Sequence, residues 1–278
     1  MTSGYPEAMA SYLETAMEIA HEAGMLLEQF QRARVPFELK GEFDLVTEAD
    51  RASERLVVER LKSHFPTHGV EGEEGARINS TSPYLWFVDP LDGTTNFAHG
   101  FPVYNVTLAL AHEGELIAGV IYDPVHNEMF AAEKGSGATL NGEKISVSRA
   151  SKLDHSLVAT GFPSRKRHLN INIHFYWQMA MLTHGVRRAG SAAIDLAWVA
   201  CGRLDAFWEF GLNPWDQAAG MLLVQEAGGC YSDMKGGKAS VRTPHLLADN
   251  GSLHDEILEV FSEIFRGEFR TPMPSIVA

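Results

Sequence analysis

The sequence predicts a protein of the α+β class, and three observations lead to this prediction. Apolar residues recur at helical spacing from Glu7 to about Arg32. Apolar runs with strand character then follow one another from Tyr84 to Glu133, separated by pairs of turn-forming residues. Beyond residue 157, segments with strand and helix character alternate. We therefore expect helices first, then an antiparallel meander, then a mixed half.

Two helices are expected near the start of the chain. The first covers the Glu7 to Arg32 pattern, and the second runs from about Thr47 to about His64. Thr47 and Asp50 have the spacing of a capping box, so helix capping alone could account for both residues.

Consecutive strands are expected in the middle of the chain. Tyr84–Val88 is a short apolar run, and Pro90 should end its ladder because proline has no backbone N–H to donate. The strands that follow are predicted at Val103–Ala111, Leu116–Tyr122 and Glu128–Glu133. Turn-forming pairs stand at Glu113-Gly114, Asp123-Pro124 and Asn141-Gly142, as expected for a meander.

The later half should alternate strands and helices. Strands are predicted at Leu157–Thr160, Asp205–Trp208 and Leu246–Ala248, and helices at Ile171–Leu182, Ser191–Cys201, Pro214–Ala227 and Leu253–Phe265. A proline-containing tail after the last helix is expected to be loosely ordered. Because no linker is visible, residues 1–278 should form a single unit of two closely packed halves, about 1–150 and about 151–270.

Composition excludes several classes of function. The net charge of −13 argues against direct nucleic-acid binding, which normally needs a basic face. No signal peptide is visible and the apolar runs are too short to cross a membrane, so we expect a cytoplasmic protein. Cys201 and Cys230 lack metal-site spacing and are expected to be small buried apolar side chains in a reducing compartment.

The segment Asp89–Phe97, with the sequence DPLDGTTNF, carries the strongest chemical signal. Asp89 and Asp92 follow an apolar strand at positions i and i+3, and Gly93 lets the backbone approach a bound group. A covalent aspartyl-phosphate site of the haloacid dehalogenase type would place its aspartates at i and i+2. We therefore interpret the pair as metal ligands.

Further carboxylates stand at Glu73, Glu74 and Asp216. Several carboxylates in one cleft would repel one another unless cations lay between them, and oxygen ligands without His or Cys favour Mg²⁺ or Mn²⁺. Taken singly, each has a plainer interpretation. The Glu-Glu pair could be a solvated turn, and Asp216 could complement a helix dipole.

These residues resemble the inositol monophosphatase family of lithium-sensitive, metal-dependent phosphatases. The resemblance rests on the segments Gly72–Glu74, Trp86–Phe97, Trp215–Gly220 and Glu226–Gly229, with weaker similarity from about Ala8 to Phe265. It implies a layered αβαβα sandwich with two sheets, like that of inositol monophosphatase and fructose-1,6-bisphosphatase, and a homodimer.

The resemblance also implies a role for each site residue. A first Mg²⁺ would be held by Glu73, Asp89 and the Leu91 carbonyl, a second by Asp89, Asp92 and Asp216, and a third, weaker ion would lie near Glu73. Asp50, Thr94 and Glu74 would be the catalytic residues. Substrate contacts would come from Leu91, Asp92, Gly93, Thr94, Gly190, Ser191, Ala192, Glu209 and Asp216. Lys40 corresponds to a basic residue at the mouth of the site.

The expected reaction is hydrolysis of a small phosphorylated cyclitol or sugar, with inositol-1-phosphate favoured, by direct attack of a metal-activated water. Alternatives within the superfamily are the phosphatases of fructose-1,6-bisphosphate, histidinol phosphate and 3′-phosphoadenosine 5′-phosphate. An alternative of another class is a regulatory protein that acts in transcription through a protein partner.

Overall fold

The computed structural model describes residues 6–33, 37–41, 44–162 and 170–273, with residues 6–11 and most of residues 37–46 described by their backbone alone. The side chain of Lys40 and the last five residues of the tail lie outside this description.

The predicted N-terminal helices are confirmed as α1 (Pro6–Ala33) and α2 (Glu48–His64). A hairpin of β1 (Phe37–Gly41) and β2 (Asp44–Thr47) connects them. Thr47 is the N-cap of α2 and forms the expected capping box with Asp50.

An eight-stranded sheet forms the centre of the first half. Its strands are β3 (Gly69–Gly72), β4 (Arg77–Ile78), β5 (Tyr84–Asp92), β6 (Asn105–His112), β7 (Glu115–Asp123), β8 (Glu128–Glu133), β9 (Gly137–Leu140) and β10 (Glu143–Lys144). The order β10-β9-β8-β7-β6-β5-β3-β4 confirms the antiparallel meander from β5 to β10. β3 and β5 are parallel neighbours, so the carboxyl ends of both strands lie at the same edge of the sheet.

A five-stranded sheet of order β12-β11-β13-β15-β14 lies in the second half. Its strands are β11 (Leu157–Thr160), β12 (Gly185–Arg187), β13 (Ala206–Phe210), β14 (Cys230–Asp233) and β15 (His245–Asp249). The helices of the chain after α2 are α3 (Thr94–His99), α4 (Asn172–Leu182), α5 (Ala192–Ala200), α6 (Pro214–Glu226) and α7 (His254–Phe265).

Helices and sheets alternate as layers, each with an apolar core between it and the next. α1 and α2 cover one face of the large sheet, and α5 and α6 fill the space between its other face and the small sheet. α4 and α7 cover the outer face of the small sheet. The predicted α+β class and the αβαβα layering are therefore confirmed. None of the described helices is long and apolar enough to cross a membrane.

A carboxylate near each end of helix α6 accepts two hydrogen bonds. At its start, the Asp216 carboxylate accepts hydrogen bonds from the backbone and side chain of Asn213. At its end, the Glu226 carboxylate accepts bonds from the N–H groups of Gly135 and Gly137, at 2.9 and 3.0 Å. Gly135 lies in the turn between β8 and β9 and Gly137 is the first residue of β9, so the helix is held against the large sheet.

The prediction that Pro90 ends its strand is wrong. β5 continues to Asp92, and its pairing with β6 shifts between Asp89 and Asp92, where one extra residue forms a bulge. A bulge does not require the N–H that proline lacks, so Pro90 is accommodated. Its carbonyl instead accepts a 2.8 Å hydrogen bond from the Ser53 hydroxyl of α2.

The predictions for the cysteines and the tail also need correction. Both cysteines are half-buried, because Cys201 caps the end of α5 and Cys230 lies on β14, an edge strand of the small sheet. Residues just after α7 are held by hydrogen bonds: the Thr271 carbonyl accepts from Trp177 and Gln178, and the Thr271 N–H donates back to Gln178. The tail is therefore attached to α4 at least as far as Thr271.

Candidate active site

The parallel pairing of β3 with β5 brings two predicted ligands together. Gly72, the last residue of β3, pairs with Val88, so Glu73 and Asp89 follow side by side. The Glu73 N–H donates to the Val88 carbonyl at 3.2 Å, which fixes the turn against β5. Two carboxylates separated by sixteen positions in the sequence are thus neighbours.

Asp89 is the electrostatic centre of the site. Burial raises the pKa of Asp89 well above its ordinary value, and the nearby carboxylates of Glu73, Asp92 and Asp216 raise it further. Asp89 also lies within hydrogen-bonding reach of Glu73. The structure therefore gathers all four side chains predicted as metal ligands into one site.

Asp92 connects the large sheet to the start of α5. It lies opposite Asn105 on β6, and its Oδ2 accepts hydrogen bonds from Ser191 Oγ at 2.7 Å and the Ala193 N–H at 2.9 Å. The amide of Asn105 donates to Asp92 Oδ2 at 3.4 Å and to the Ser191 hydroxyl at 2.7 Å. Burial raises the pKa of Asp92, and these hydrogen bonds oppose the rise.

The first turn of α5, which begins after Gly190, is held to Asp92. Ser191 is the N-cap of α5 and accepts from the Ile194 N–H, as a plain cap would. The N–H of Ala193 in the same turn already binds Asp92, so a carboxylate of the protein occupies that donor. Ala192, at the first position of the helix, is buried beside them.

Gly93 and Gly190 allow close approaches that a side chain would prevent. Gly93 has a φ of +91°, and a Cβ there would lie 2.8 Å from the Val103 carbonyl oxygen. Gly190 has a φ of +88° and packs against the amide of Asn96. That amide donates to the carbonyls of Val103 and Ala189, at 2.8 Å each, and so connects α3 to the segments before β6 and before α5.

Thr94 and Asp50 form the predicted pair. The Thr94 hydroxyl lies 3.0 Å from Asp50 Oδ1 and 3.1 Å from the Leu91 carbonyl oxygen. The other oxygen of Asp50 accepts 2.6 Å hydrogen bonds from the N–H and the hydroxyl of Thr47. Asp50 therefore serves as a helix cap with one oxygen and contacts Thr94 with the other.

Glu209 and Asp216 are two further buried carboxylates that interact electrostatically with Asp92. Burial raises the pKa of each to about 8, and the negative charge of Asp92 adds to both shifts. The positive charge of Arg188 lowers the pKa of Glu209 in part. The Glu209 carboxylate lies directly over Gly161, where a Cβ would approach it to 2.0 Å. Any residue larger than glycine at position 161 would displace this carboxylate.

Several residues of the site were missed by sequence reasoning. Glu54 of α2 accepts from the N–H of Glu74 at 2.9 Å, and it fixes the turn that carries the predicted catalytic residue Glu74. Asp195 of α5 is buried, and its pKa is raised well above its ordinary value by burial and by the charges of Glu209 and Asp92. Asn105 links Asp92 to Ser191. None of the three lies in a recognisable motif, so no local signal could have revealed them.

The donor set fits Mg²⁺. Carboxylates and a backbone carbonyl are hard oxygen ligands, and their mutual repulsion favours a site that receives cations. In the described part of the chain, no three of these carboxylates bring one oxygen each within 4.8 Å of one another. The carboxylates lie in one site, but, taken three at a time, their oxygens are farther apart than the ligands of a single bound ion would be.

The family model described as the inositol monophosphatase family matches residues 8–266. The chain belongs to this family. Its members are metal-dependent phosphatases, which agrees with the donor set described above. The resemblance to this family, found in the motif segments of the sequence, is therefore confirmed.

Named relatives extend over nearly the whole chain. The protein called Nus factor SuhB from Pseudomonas aeruginosa is 44% identical over 250 residues, which cover 87% of this chain and 92% of the relative. The inositol-1-monophosphatase of a Synechocystis species is 42% identical over 260 residues, which cover 92% of this chain and 91% of the relative. The crystal structure of the extragenic suppressor protein suhB from Bartonella henselae aligns with a TM-score of 0.87 and 37% identity, covering 91% of this chain and 99% of that chain.

Proposed function

We propose that this protein is a Mg²⁺-dependent phosphatase that hydrolyses a small cyclitol or sugar monophosphate, with inositol-1-phosphate preferred. The observation that carries the proposal is the gathering of Glu73, Asp89, Asp92 and Asp216 beside the hydrogen-bonded pair of Thr94 and Asp50. An acidic site of this kind would repel a phosphate ester unless cations reversed its local charge.

The carboxylates of Glu73, Asp89, Asp92 and Asp216 and the carbonyl of Leu91 would hold the ions, two or three in number, with Mn²⁺ as a possible substitute. When bound, Mg²⁺ supplies the positive charge that attracts the phosphate ester and favours ionisation of the attacking water. The buried position of Asp89 limits competition from bulk water.

Thr94 and Asp50 supply the path for a proton. The Thr94 hydroxyl has one hydrogen and two acceptors within reach, Asp50 Oδ1 and the Leu91 carbonyl. If the carbonyl binds a cation, the hydroxyl must donate to Asp50, and its oxygen is then free to accept a hydrogen bond from the attacking water. As the water gives its proton to the Thr94 oxygen, the Thr94 proton would pass to Asp50 Oδ1. Glu74 lies next to Glu73 in the turn that its hydrogen bond to Glu54 fixes, and it would assist catalysis from that position.

Glu209 and the start of α5 would recognise the ring of the substrate. The Glu209 carboxylate lies close enough to Asp92 and Asp216 to interact with their charges, and it would accept hydrogen bonds from ring hydroxyls. Gly190, Ser191 and Ala192 would form the opposite wall, with Gly93 and Thr94 near the phosphate. The hydrogen bond from Ser191 to Asp92 would keep the residues that bind the ring at a fixed position relative to the metal ligands.

A substrate panel tests this proposal. Phosphate release would be measured from inositol-1-phosphate, fructose-1,6-bisphosphate, histidinol phosphate and 3′-phosphoadenosine 5′-phosphate while Mg²⁺ is titrated from zero. We expect no turnover without a divalent cation and the highest kcat/KM for inositol-1-phosphate. A much lower kcat/KM for inositol-1-phosphate than for all the others would contradict the substrate assignment, and full activity in a chelator would contradict the metal assignment.

Asp89→Asn provides the matched metal-site variant, with Asp154→Asn as its control. Asp89 is buried among the other carboxylates, whereas the side chain of Asp154 is 73% exposed and lies outside the site. We expect Asp89→Asn to lower kcat by at least about a hundredfold and Asp154→Asn to leave it unchanged.

A second candidate function is favoured by the names of relatives. Proteins called Nus factor SuhB are 44% identical in Pseudomonas aeruginosa and 40% identical in Escherichia coli. We propose as the alternative that this chain binds a protein of the transcription machinery, since its net charge of −13 disfavours direct RNA binding. Affinity capture from an extract of the source cells tests this alternative. Recovery of RNA polymerase subunits would support it, and their absence would contradict it and leave only the phosphatase proposal.

A further inference from the structure

A second cluster of metal-ligand side chains lies away from the carboxylates of the active site. Cys230 begins β14, Asp249 ends β15 and His254 begins α7. The antiparallel register pairs Cys230 directly with Asp249, and the short turn after β15 brings His254 back over them. One ligand atom from each of the three residues lies within 4.8 Å of the others.

The contacts in this cluster are specific. Cys230 Sγ lies 3.5 Å from Asp249 Oδ1, and His254 Nδ1 lies 2.6 Å from Asp249 Oδ2. The Asp249 side chain is fully buried and that of His254 is 18% exposed, so the cluster is largely shielded from solvent. The Gly251 N–H donates to Asp249 Oδ1 at 2.7 Å, which holds the carboxylate in place.

The ligand types differ from those of the active site. A thiolate, an imidazole and a carboxylate are the set that a borderline cation such as Zn²⁺ prefers over Mg²⁺. Bond lengths of about 2.0–2.3 Å to a tetrahedral ion place its ligand atoms roughly 3.3–3.7 Å apart. The sulfur and Oδ1 already have that spacing, whereas His254 Nδ1, which lies 2.6 Å from Oδ2, would have to move away from the Asp249 carboxylate.

We propose that Cys230, Asp249 and His254 form a binding site for a zinc-class divalent cation, with its fourth position open to water. The site is separate from the active site, because Asp249 pairs with Ala206 at the start of β13, whereas Glu209 pairs with Leu246. Three strand positions correspond to about 10 Å. A bound ion would fasten the edge strand β14 and the start of α7 to β15.

Cobalt titration tests the proposal, because a thiolate bound to Co²⁺ gives a charge-transfer absorption in the near ultraviolet that oxygen ligands do not give. The reduced full-length protein would be titrated with Co²⁺ in excess Mg²⁺. We expect this band to saturate at one equivalent, to disappear when Zn²⁺ is added and to be absent from Cys230→Ser. Cys201→Ser should keep it, because Cys201 lies at the end of α5, outside the cluster, where its Sγ contacts the Trp198 carbonyl.

Two further variants separate a metal site from a simple His–Asp pair. His126 and Asp123 have almost the same contact, with Nδ1 and Oδ2 2.7 Å apart. We expect His254→Gln to weaken Co²⁺ binding by at least tenfold and His126→Gln to have no effect. Zn²⁺ should also raise the Tm of the wild type but not that of Cys230→Ser. The proposal is overturned if the wild type shows no sulfur band, or if Cys230→Ser retains it.

Discussion

At the scale of single residues, Asp50 makes two contacts that each have a separate purpose. Its Oδ2 closes the capping box with Thr47, and its Oδ1 lies 3.0 Å from the Thr94 hydroxyl. Capping stabilises α2 and at the same time orients the carboxylate toward the site. The capping and catalytic interpretations of Asp50 are therefore compatible, because a carboxylate has two oxygens.

The Thr94 hydroxyl is expected to matter for turnover more than for metal binding. We predict that Thr94→Ala lowers kcat by about a hundredfold or more, with a smaller change in the Mg²⁺ concentration needed for half-maximal rate. Thr94→Ser should recover most of the rate because it restores the hydroxyl. Thr95→Ala is the control, since Thr95 is exposed. Steady-state kinetics decide this, and equal losses in the alanine and serine variants would contradict the proton path.

Glu209 is expected to determine affinity for the ring of the substrate. We predict that Glu209→Gln raises KM for inositol-1-phosphate by about tenfold in the presence of Mg²⁺, because bound cations favour the ionised carboxylate of Glu209 and the amide replaces this charged acceptor with a neutral one of the same shape. Hydrolysis of nitrophenyl phosphate, whose ring carries no hydroxyls, should change little. Parallel KM measurements on the two substrates provide the check, and equal effects on both would contradict a role in ring recognition.

At the scale of elements, the end of β5 depends on one glycine. Gly93 combines a positive φ with a contact that leaves no room for a Cβ, whereas Gly100 has a φ of +69° and open space around it. We predict that Gly93→Ala lowers the free energy of unfolding by clearly more than the ~1 kcal/mol expected from backbone strain at Gly100→Ala. Urea unfolding measures both variants. Equal losses would mean that the contact with the Val103 carbonyl does not constrain the bulge.

Elements with long, regular patterns could be predicted from the sequence, and short or irregular ones could not. β8 and β11 have the predicted bounds, because each is an apolar run between turn residues. β4 and β10 have two residues each, which is too short for any periodicity to appear. The continuation of β5 through Pro90 was missed because a bulge depends on its partner strand, which the local sequence does not specify.

The candidate site was predictable where its residues lie in compact motifs, and much less so where side chains meet across elements. Asp89, Asp92 and Thr94 belong to one segment, and that segment could be recognised. Asn105 could not, because a single asparagine in an apolar strand becomes informative only when its two partners are known. Cys230 was expected to be inert, since its partners lie 19 and 24 positions away.

At the scale of the whole molecule, gathering acidic groups makes stability depend on pH and on cations. Burial raises the pKa of Glu209 and Asp216 to about 8, so the folded protein binds more protons than the unfolded chain between about pH 4 and pH 8. The free energy of unfolding should therefore fall as the pH rises through this window, by up to about 1.4 kcal/mol per pH unit for each group.

Urea unfolding in a chelator should thus give higher stability near pH 5 than near pH 8. Excess Mg²⁺ should restore much of the loss at the higher pH, because it binds the ionised carboxylates of the folded protein. Glu209→Gln should flatten the pH dependence measured in the chelator. A stability that rises with pH in the chelator would contradict the assignment.

Helix α6 gives this architecture a mechanical property. Its thirteen residues, Pro214–Glu226, span about 20 Å, with Asp216 in the first turn and Glu226 at the last position. Glu226 binds the hairpin formed by β8 and β9, and this contact fixes the far end of the helix that carries Asp216. We therefore expect substitutions in the hairpin to shift Asp216, a proposed metal ligand, without contacting it.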